Sequence, residues 1–390
     1  MIEPDAVARE FSRVYGRAPR LFRAPGRVNL IGEHTDYNDG FVMPMAIDRS
    51  TWVAAAVRDD RSINVRSSDF QDAVTLDMER EGFNRANPAG RHWSDFVRGM
   101  ASVLDGGPGA PIAGADLLIS TDVPIGAGLS SSAALEISVG YSLSIVSGRA
   151  IDLMALALAG QRAEHEYVGT RCGVMDQMAA CYGRAGTLMK LDTRTLEVEW
   201  VPFPARLRAI VCNTMVTHEL ASAAYNARRA DCEEGVRILS AVFPDVHALR
   251  DVTLQMLDSA RGELSDRVYR RCRHVIGENA RVEQTADALS ANDFWRAGRL
   301  MGQSHRSLRD DYEVSCEELD TMAGIVESID GIYGARMTGG GFGGSVVGIA
   351  DAAADPDRIA ALVRQQYEER TGRKPDVWWC VPSDGVSEWS

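Results

Sequence analysis

Short apolar runs and period-two alternation dominate the first third of the chain, and helical spacing takes over later. The pattern predicts strands over residues 21–31, 41–47, 51–58 and 62–66, broken by clusters such as Asn38-Asp39-Gly40, which is hairpin chemistry. Another strand follows at 114–123, then helices at 133–146 and 152–167, then short strands at 187–191 and 198–201. A fresh strand at 208–213 opens the second half, which carries long polar helices at 222–241 and 267–289. A Gly-rich turn at 338–344 leads into a strand at 345–349. Asp355 then caps a helix whose Ile359, Leu362, Val363 and Tyr367 share one face; Gly372 ends it, and 377–381 closes as a strand. Both halves mix α and β, with neither internal repeats nor low-complexity tracts.

At 390 residues the chain exceeds the size at which one core stops growing, so two domains are expected, 1–200 and 201–390, with the boundary in the range 195–210. The balance of 42 basic against 55 acidic residues argues against nucleic acid or an anionic membrane as partner. An anionic substrate then requires locally concentrated positive potential. No apolar run approaches the ~20 residues of a membrane span, and the first residues lack a basic, then apolar, leader; a cytoplasmic location is the expectation. The seven cysteines include no Cys-x-x-Cys pair, which reads as reduced thiols rather than a disulfide framework or zinc site.

The densest chemistry lies in Ala24-Pro25-Gly26-Arg27-Val28-Asn29-Leu30-Ile31-Gly32-Glu33-His34-Thr35-Asp36-Tyr37, where an apolar segment runs into Glu, His and Asp. Three hydrogen-bonding side chains of differing character suit a polyhydroxylated ligand, and Arg27 adds a permanent charge able to meet phosphate or carboxylate. Transfer of phosphate to a sugar is the first reading; a charged surface turn after an edge strand is the alternative.

A second constellation, Pro124-Ile125-Gly126-Ala127-Gly128-Leu129-Ser130-Ser131-Ser132-Ala133, follows a strand and opens a helix. Its glycines allow close backbone approach and its serines expose donors at a helix N-terminus, an anion site. It lacks the Gly-Lys-Ser/Thr of a P-loop and the acidic residue of a dinucleotide fold. On the helix at 152–167, Leu153, Leu156, Ala157, Gly160 and Glu164 share a stripe, which sends a carboxylate toward the core. With Ser132, Glu164 can complete a magnesium site of oxygen ligands; pairing with Arg162, Arg171 or a backbone cap is the competing reading. Asp176, among small and apolar neighbours in Gly173-Val174-Met175-Asp176-Gln177, suits a group held near a hydroxyl nucleophile, or a helix cap.

Together these segments resemble the galactokinases, a branch of the kinases that phosphorylate galactose, homoserine, mevalonate and phosphomevalonate. Gly26 to Pro44 is similar to the family's signature, Pro124 to Glu136 to its ATP loop, and Arg336-Met337-Thr338-Gly339-Gly340-Gly341-Phe342-Gly343-Gly344 to its third motif. The resemblance implies sugar ligands at Glu33, His34, Thr35, Asp36, Gly173 and Tyr225, a catalytic base at Asp176 that also contacts the reacting hydroxyl, and transition-state stabilisation by Arg27. It implies that Gly126, Ala127, Gly128, Leu129, Ser130, Ser131 and Ser132 cradle ATP, that Ser67 lies near the nucleotide, and that Ser132 and Glu164 hold Mg2+. Arg228 and Arg229 read instead as solvated helix charges. Two departures stand out: Ser345 where cysteine is frequent, and Ala223-Ala224 where polar residues are common.

The implied fold is α+β, of the GHMP-kinase type: an N-terminal mixed sheet with helices, a C-terminal ferredoxin-like domain and an active site between them. The implied activity is ATP-dependent phosphorylation of the anomeric hydroxyl of α-D-galactose by a monomer. A kinase for N-acetylgalactosamine or arabinose, and a non-catalytic galactose- and ATP-binding regulator, are the alternatives.

Overall fold

A computed structural model describes residues 2–80, 92–107, 109–217 and 221–389. The first half runs α1 (Pro4–Tyr15), β1 (Arg20–Asn29), β2 (Phe41–Val42), β3 (Pro44–Val57), β4 (Ser62–Ser67), β5 (Asp72–Asp77), α2 (Trp93–Asp105) and β6 (Ala115–Thr121). It continues through α3 (Ser131–Val146), α4 (Leu153–Ala163), α5 (Met175–Tyr182), β7 (Thr187–Asp192) and β8 (Val198–Pro202). The second half runs β9 (Leu207–Asn213), α6 (Ala221–Val242), α7 (Leu254–Ser259), α8 (Asp266–Ser290), α9 (Phe294–Asp310) and α10 (Glu317–Glu327). It ends with β10 (Ile332–Thr338), β11 (Ser345–Asp351), α11 (Pro356–Thr371), β12 (Asp376–Cys380) and β13 (Ser387–Trp389).

Strand alternation decides which face of the first sheet meets which helices. The six-stranded sheet has the order β13-β1-β3-β6-β4-β5, antiparallel except for the β4–β6 pair. Phe22, Val53, Ala55, Leu117 and Ile119 point to one face, where they pack with Val97, Met100, Ile137 and Leu156 of α2, α3 and α4. Leu21, Trp52, Ala54 and Leu118 point the other way and are covered by Val7 and Phe11 of α1. Both faces are therefore apolar, which explains why these strands read as continuous runs.

The second sheet is antiparallel in the order β12-β9-β11-β10, and the intervening helices make it the split β-α-β arrangement of a ferredoxin-like domain. Its Ile210, Cys212, Val346 and Met337 face α10 and α11. Ala209, Val211, Val347 and Ile349 turn toward a core shared with Val28, Leu30, Met43, Met45 and Val123 of the first half, so the halves meet across packed apolar side chains. A small sheet, β2-β7-β8, closes one side of that junction.

Some local expectations change. The runs at 41–47 and 51–58 form one long strand, β3, preceded by the short β2. Asn38-Asp39-Gly40 is not a two-residue hairpin turn: a 3-10 turn at Asp36–Asn38 and a left-handed Asp39 lie within a longer loop joining β1 to β3. The helix at 152–167 is α-helical over Leu153–Ala163 and then widens into a π-turn at Glu164–Val168. Helices α1, α2, α5, α7, α9 and α10 and strands β5, β10 and β13 were not read from the pattern.

Candidate active site

The loop from Leu30 to Met43 is buried at the junction of the two halves, which rules out a solvated surface turn. Glu33 Oε1 accepts the Gly339 amide at 2.7 Å and lies 3.4 Å from Arg336 Nη1, itself wholly buried. His34 adopts a left-handed backbone, φ 63°, the kind of strain that clusters at functional sites. Its Nδ1 is 2.7 Å from the Tyr37 hydroxyl and its Nε2 3.2 Å from Gly340 O. Burial, with His274 nearby, pushes the imidazole down to about 3, so the ring is neutral.

Helix α8 braces this loop from behind, a role its polar sequence did not disclose. His274 Nε2 is 3.1 Å from Glu33 O, Glu278 Oε1 accepts the Gly32 amide at 3.0 Å, and Asn279 Oδ1 accepts the Phe41 amide at 3.0 Å. Burial opposes the charge on Glu278, but Arg281 and His274 outweigh it and hold the carboxyl down to about 2. Arg228 donates to the Tyr312 and Glu313 carbonyls and Arg229 to Arg171 O, so neither is a solvated charge.

A polar cavity of about 250 Å³ opens onto Arg27, Glu33, His34, Asp36, Gly173, Asp176 and Tyr225. Arg27 grips Asp176 through two bonds, Nε to Oδ1 at 2.8 Å and Nη2 to Oδ2 at 3.0 Å, bringing together residues 149 positions apart. Burial lowers the Arg27 pKa, but the attraction of Asp176 and Glu33 outweighs it, so the guanidinium stays charged. Asp36 is pushed up to about 7 by burial, with Asp176 and Glu33 adding repulsion. Gly173 is there because any Cβ would collide with the Asp36 carboxylate. Thr35 is the exception: its hydroxyl, 2.7 Å from Phe41 O and 2.9 Å from Gly32 O, ties the loop together behind the cavity wall.

The second constellation forms the opposite wall. Gly126, Gly128 and Ser130 all have left-handed backbones, φ 72°, 75° and 60°, so successive amides turn toward one concavity ahead of α3. Gly126, Gly128, Leu129, Ser130, Ser131 and Ser132 line the cavity, and the buried Ser130 Oγ has no hydrogen-bond partner. Ala127 does not line it; its carbonyl accepts from Ser345 Oγ at 2.8 Å, so the serine at the first departure joins the third motif to this loop.

Glu164 also lines the cavity, carried there by the π-turn. Of the two arginines, Arg162 binds Glu166 and Arg171 binds Glu233. Gln177 Nε2 lies 3.3 Å from Glu164 and 3.0 Å from Glu136, whose carboxyl is raised well above its ordinary range by burial and by Glu164. No group of three or more His, Cys, Asp or Glu side chains suited to a metal occurs among the described residues. One carboxylate and one hydroxyl, Glu164 and Ser132, fit an ion that takes its other ligands from phosphate and water, as Mg2+ does.

Ser131 and Ser132 also border a larger, mainly apolar cavity of about 710 Å³, lined by Thr51, Ser67, Phe70, Trp93, Phe96, Ile125 and Leu135 among others. Phe70 and Trp93 lie parallel, 6.1 Å between ring centres, and form an aromatic wall. Ser67 therefore sits in this second compartment. The aromatic residues around it were missed because no local motif marks them.

Three family descriptions match successive segments: "Galactokinase galactose-binding signature" over residues 9–57, "GHMP kinases N terminal domain" over 95–184 and "GHMP kinases C terminal" over 285–369. Galactokinases of Chloroflexus aggregans and Roseiflexus are 46% and 43% identical; each aligns over 99% of this chain and over 98% and 97% of its own length. The crystal structure of Lactococcus lactis galactokinase complexed with galactose superposes with a TM-score of 0.94 at 32% identity, covering 99% of both chains. A Methanococcus jannaschii mevalonate kinase, at 16% identity and TM-score 0.63, shares the fold. With sequence, fold and the buried loop in agreement, the chain belongs to the galactokinase family of GHMP kinases.

Proposed function

We infer that this chain phosphorylates galactose with ATP, yielding galactose 1-phosphate and ADP. The observation that carries this reading is the Arg27–Asp176 pair, set in a hydroxyl-binding cavity and facing the N-terminus of α3, which also borders the larger compartment. A sugar hydroxyl and a terminal phosphate meet in such a place.

The site roles follow from that placement. Carboxylates of Glu33, Asp36 and Asp176 accept hydroxyl protons from the sugar, while His34 and Tyr225 shape its pocket. Asp176 orients the anomeric hydroxyl and takes its proton as the oxygen attacks the γ-phosphorus; each carboxylate oxygen keeps a lone pair beyond those bonded to Arg27. Arg27 offsets charge on the transferring group, and the amides of Gly126, Gly128, Leu129, Ser130, Ser131 and Ser132 hold phosphate oxygens. The adenine lies against Phe70 and Trp93. Ser132 and Glu164 are the proposed ligands of Mg2+, which supplies charge neutralisation at the phosphates. Residues 1–200 and 201–390 are the proposed domains, with β13 returning to the first sheet.

The test is a coupled ATP assay on galactose, N-acetylgalactosamine and arabinose. Galactose 1-phosphate as the preferred product supports the reading. Preference for another sugar replaces the substrate, and ligand binding without phosphate transfer replaces the enzyme with a regulator.

A further inference from the structure

A buried string of hydrogen bonds leads away from the polar cavity. His34 Nδ1 is 2.7 Å from the Tyr37 hydroxyl, which is 2.8 Å from the Tyr312 hydroxyl, which is 3.1 Å from Cys232 Sγ. The members come from both halves: His34 and Tyr37 from the β1–β3 loop, Tyr312 from the turn after α9 and Cys232 from α6. Tyr312 and Cys232 are fully or almost fully buried, and the rings of His34 and His274 flank Tyr312 at 4.8 and 4.6 Å.

Donor accounting fixes the direction of every bond. Gly340 O can only accept, so His34 Nε2 carries the hydrogen. A neutral imidazole has one N–H, so Nδ1 is bare and accepts from Tyr37 O–H. Tyr37 has then spent its hydrogen and accepts from Tyr312, which in turn accepts from the Cys232 thiol. Each hydroxyl donates once and accepts once, in a single orientation.

We propose that Tyr37, Tyr312 and Cys232 are positioning residues that lock His34 in the Nε2–H tautomer, so that His34 meets the sugar as a hydrogen-bond donor to an oxygen. This rests on the galactokinase reading for its ligand but not for its tautomer. The consequence is a division of labour in the cavity: Glu33, Asp36 and Asp176 take hydrogens from hydroxyls, and His34 supplies one. The Gly340 contact at 3.2 Å is long enough for a ligand oxygen to compete for the same hydrogen.

The experiment has two parts. Long-range 1H–15N correlation on the uniformly labelled full chain, without ligand, reads the His34 tautomer, with His34→Gln assigning the signal. A protonated Nε2 and a bare Nδ1 are expected; protonation at Nδ1 overturns the proposal whatever the enzyme's substrate is. The second part compares Tyr37→Phe, Tyr312→Phe and Cys232→Ala. The KM for galactose rises roughly tenfold in the first, where the bond to Nδ1 is lost, and progressively less in the other two. The KM for ATP stays unchanged, and the His34 signals shift in the same order. Equal effects in all three, or a loss of kcat alone with unaltered His34 signals, overturn the relay. If galactose is not the substrate, the tautomer and its ordered response remain measurable.

Discussion

The two cavities that share the N-terminus of α3 are built on opposite principles. The smaller is walled by charges, and each charge is held by another residue: Asp176 by Arg27, Glu33 by Arg336 and Gly339, and the loop beneath them by α8. The larger exposes mainly apolar surface from Phe70, Trp93, Phe96, Ile119, Ile125 and Leu135, with Asp69, Asp72, His92 and the hydroxyls of Thr51, Ser67 and Thr121 also on its lining. Buried charges demand fixed partners, because an unpaired one costs several kcal/mol. An apolar wall needs only shape. On the proposed function, the first compartment then selects a ligand hydroxyl by hydroxyl, and the second takes a flat ring with less exacting geometry.

Perturbing one compartment at a time sharpens that contrast. The largest effect is expected from Asp176→Asn, which lowers kcat about a thousandfold while the Kd for ATP stays unchanged; near-normal turnover removes Asp176 from the chemistry. Next, Glu164→Gln raises the magnesium needed for half-maximal rate on the order of tenfold, read by metal titration. Trp93→Ala is the mirror of the first change: the KM for ATP rises roughly tenfold and that for galactose holds, and movement of the galactose value instead erases the distinction between compartments.

The gentlest test is pH. In the folded chain Asp36 titrates at about 7, against an ordinary 3.8, so between those values the folded state keeps a proton that the unfolded chain has released. Stability from this group is complete below the ordinary value and declines as pH rises toward 7. Asp36→Asn flattens that decline by at most about 1.4 kcal/mol per pH unit. Identical denaturation profiles for wild type and variant between pH 4 and 7 contradict the buried-carboxyl account.

The same contrast explains what the sequence disclosed. Charges crowded into Arg27–Asp36, and glycines and serines before α3, carry their chemistry in local spacing, so the polar cavity was legible. Phe70, Trp93 and Leu135 look like any core residue until folding gathers them, and the sequence marked only Ser67, Ser131 and Ser132 of that compartment. The α8 braces were hidden for another reason: His274, Glu278 and Asn279 act on residues 238 to 246 positions earlier, and along a helix such side chains read as solvated. Thr35 and Ala127 show the converse, motif residues that do not line the cavity. Thr35 ties its own loop together, and the Ala127 carbonyl accepts from Ser345 beside the third motif. Among unread elements, α1 carries Val7 and Phe11 at helical spacing, but only the two-sided apolarity of the first sheet shows why a cover is needed there.

One feature of the topology sets how the molecule can move. β13 is stitched to β1 by three residue pairs, with Arg20 clasping Glu388 through two bonds of 2.7 Å. Besides their shared core, the halves are thus joined along the chain at two places, near residues 202–207 and again at 387–389. Two chain crossings and the apolar core common to both halves oppose their wide separation. A protease nick between β8 and β9 would leave two fragments that still sediment as one particle.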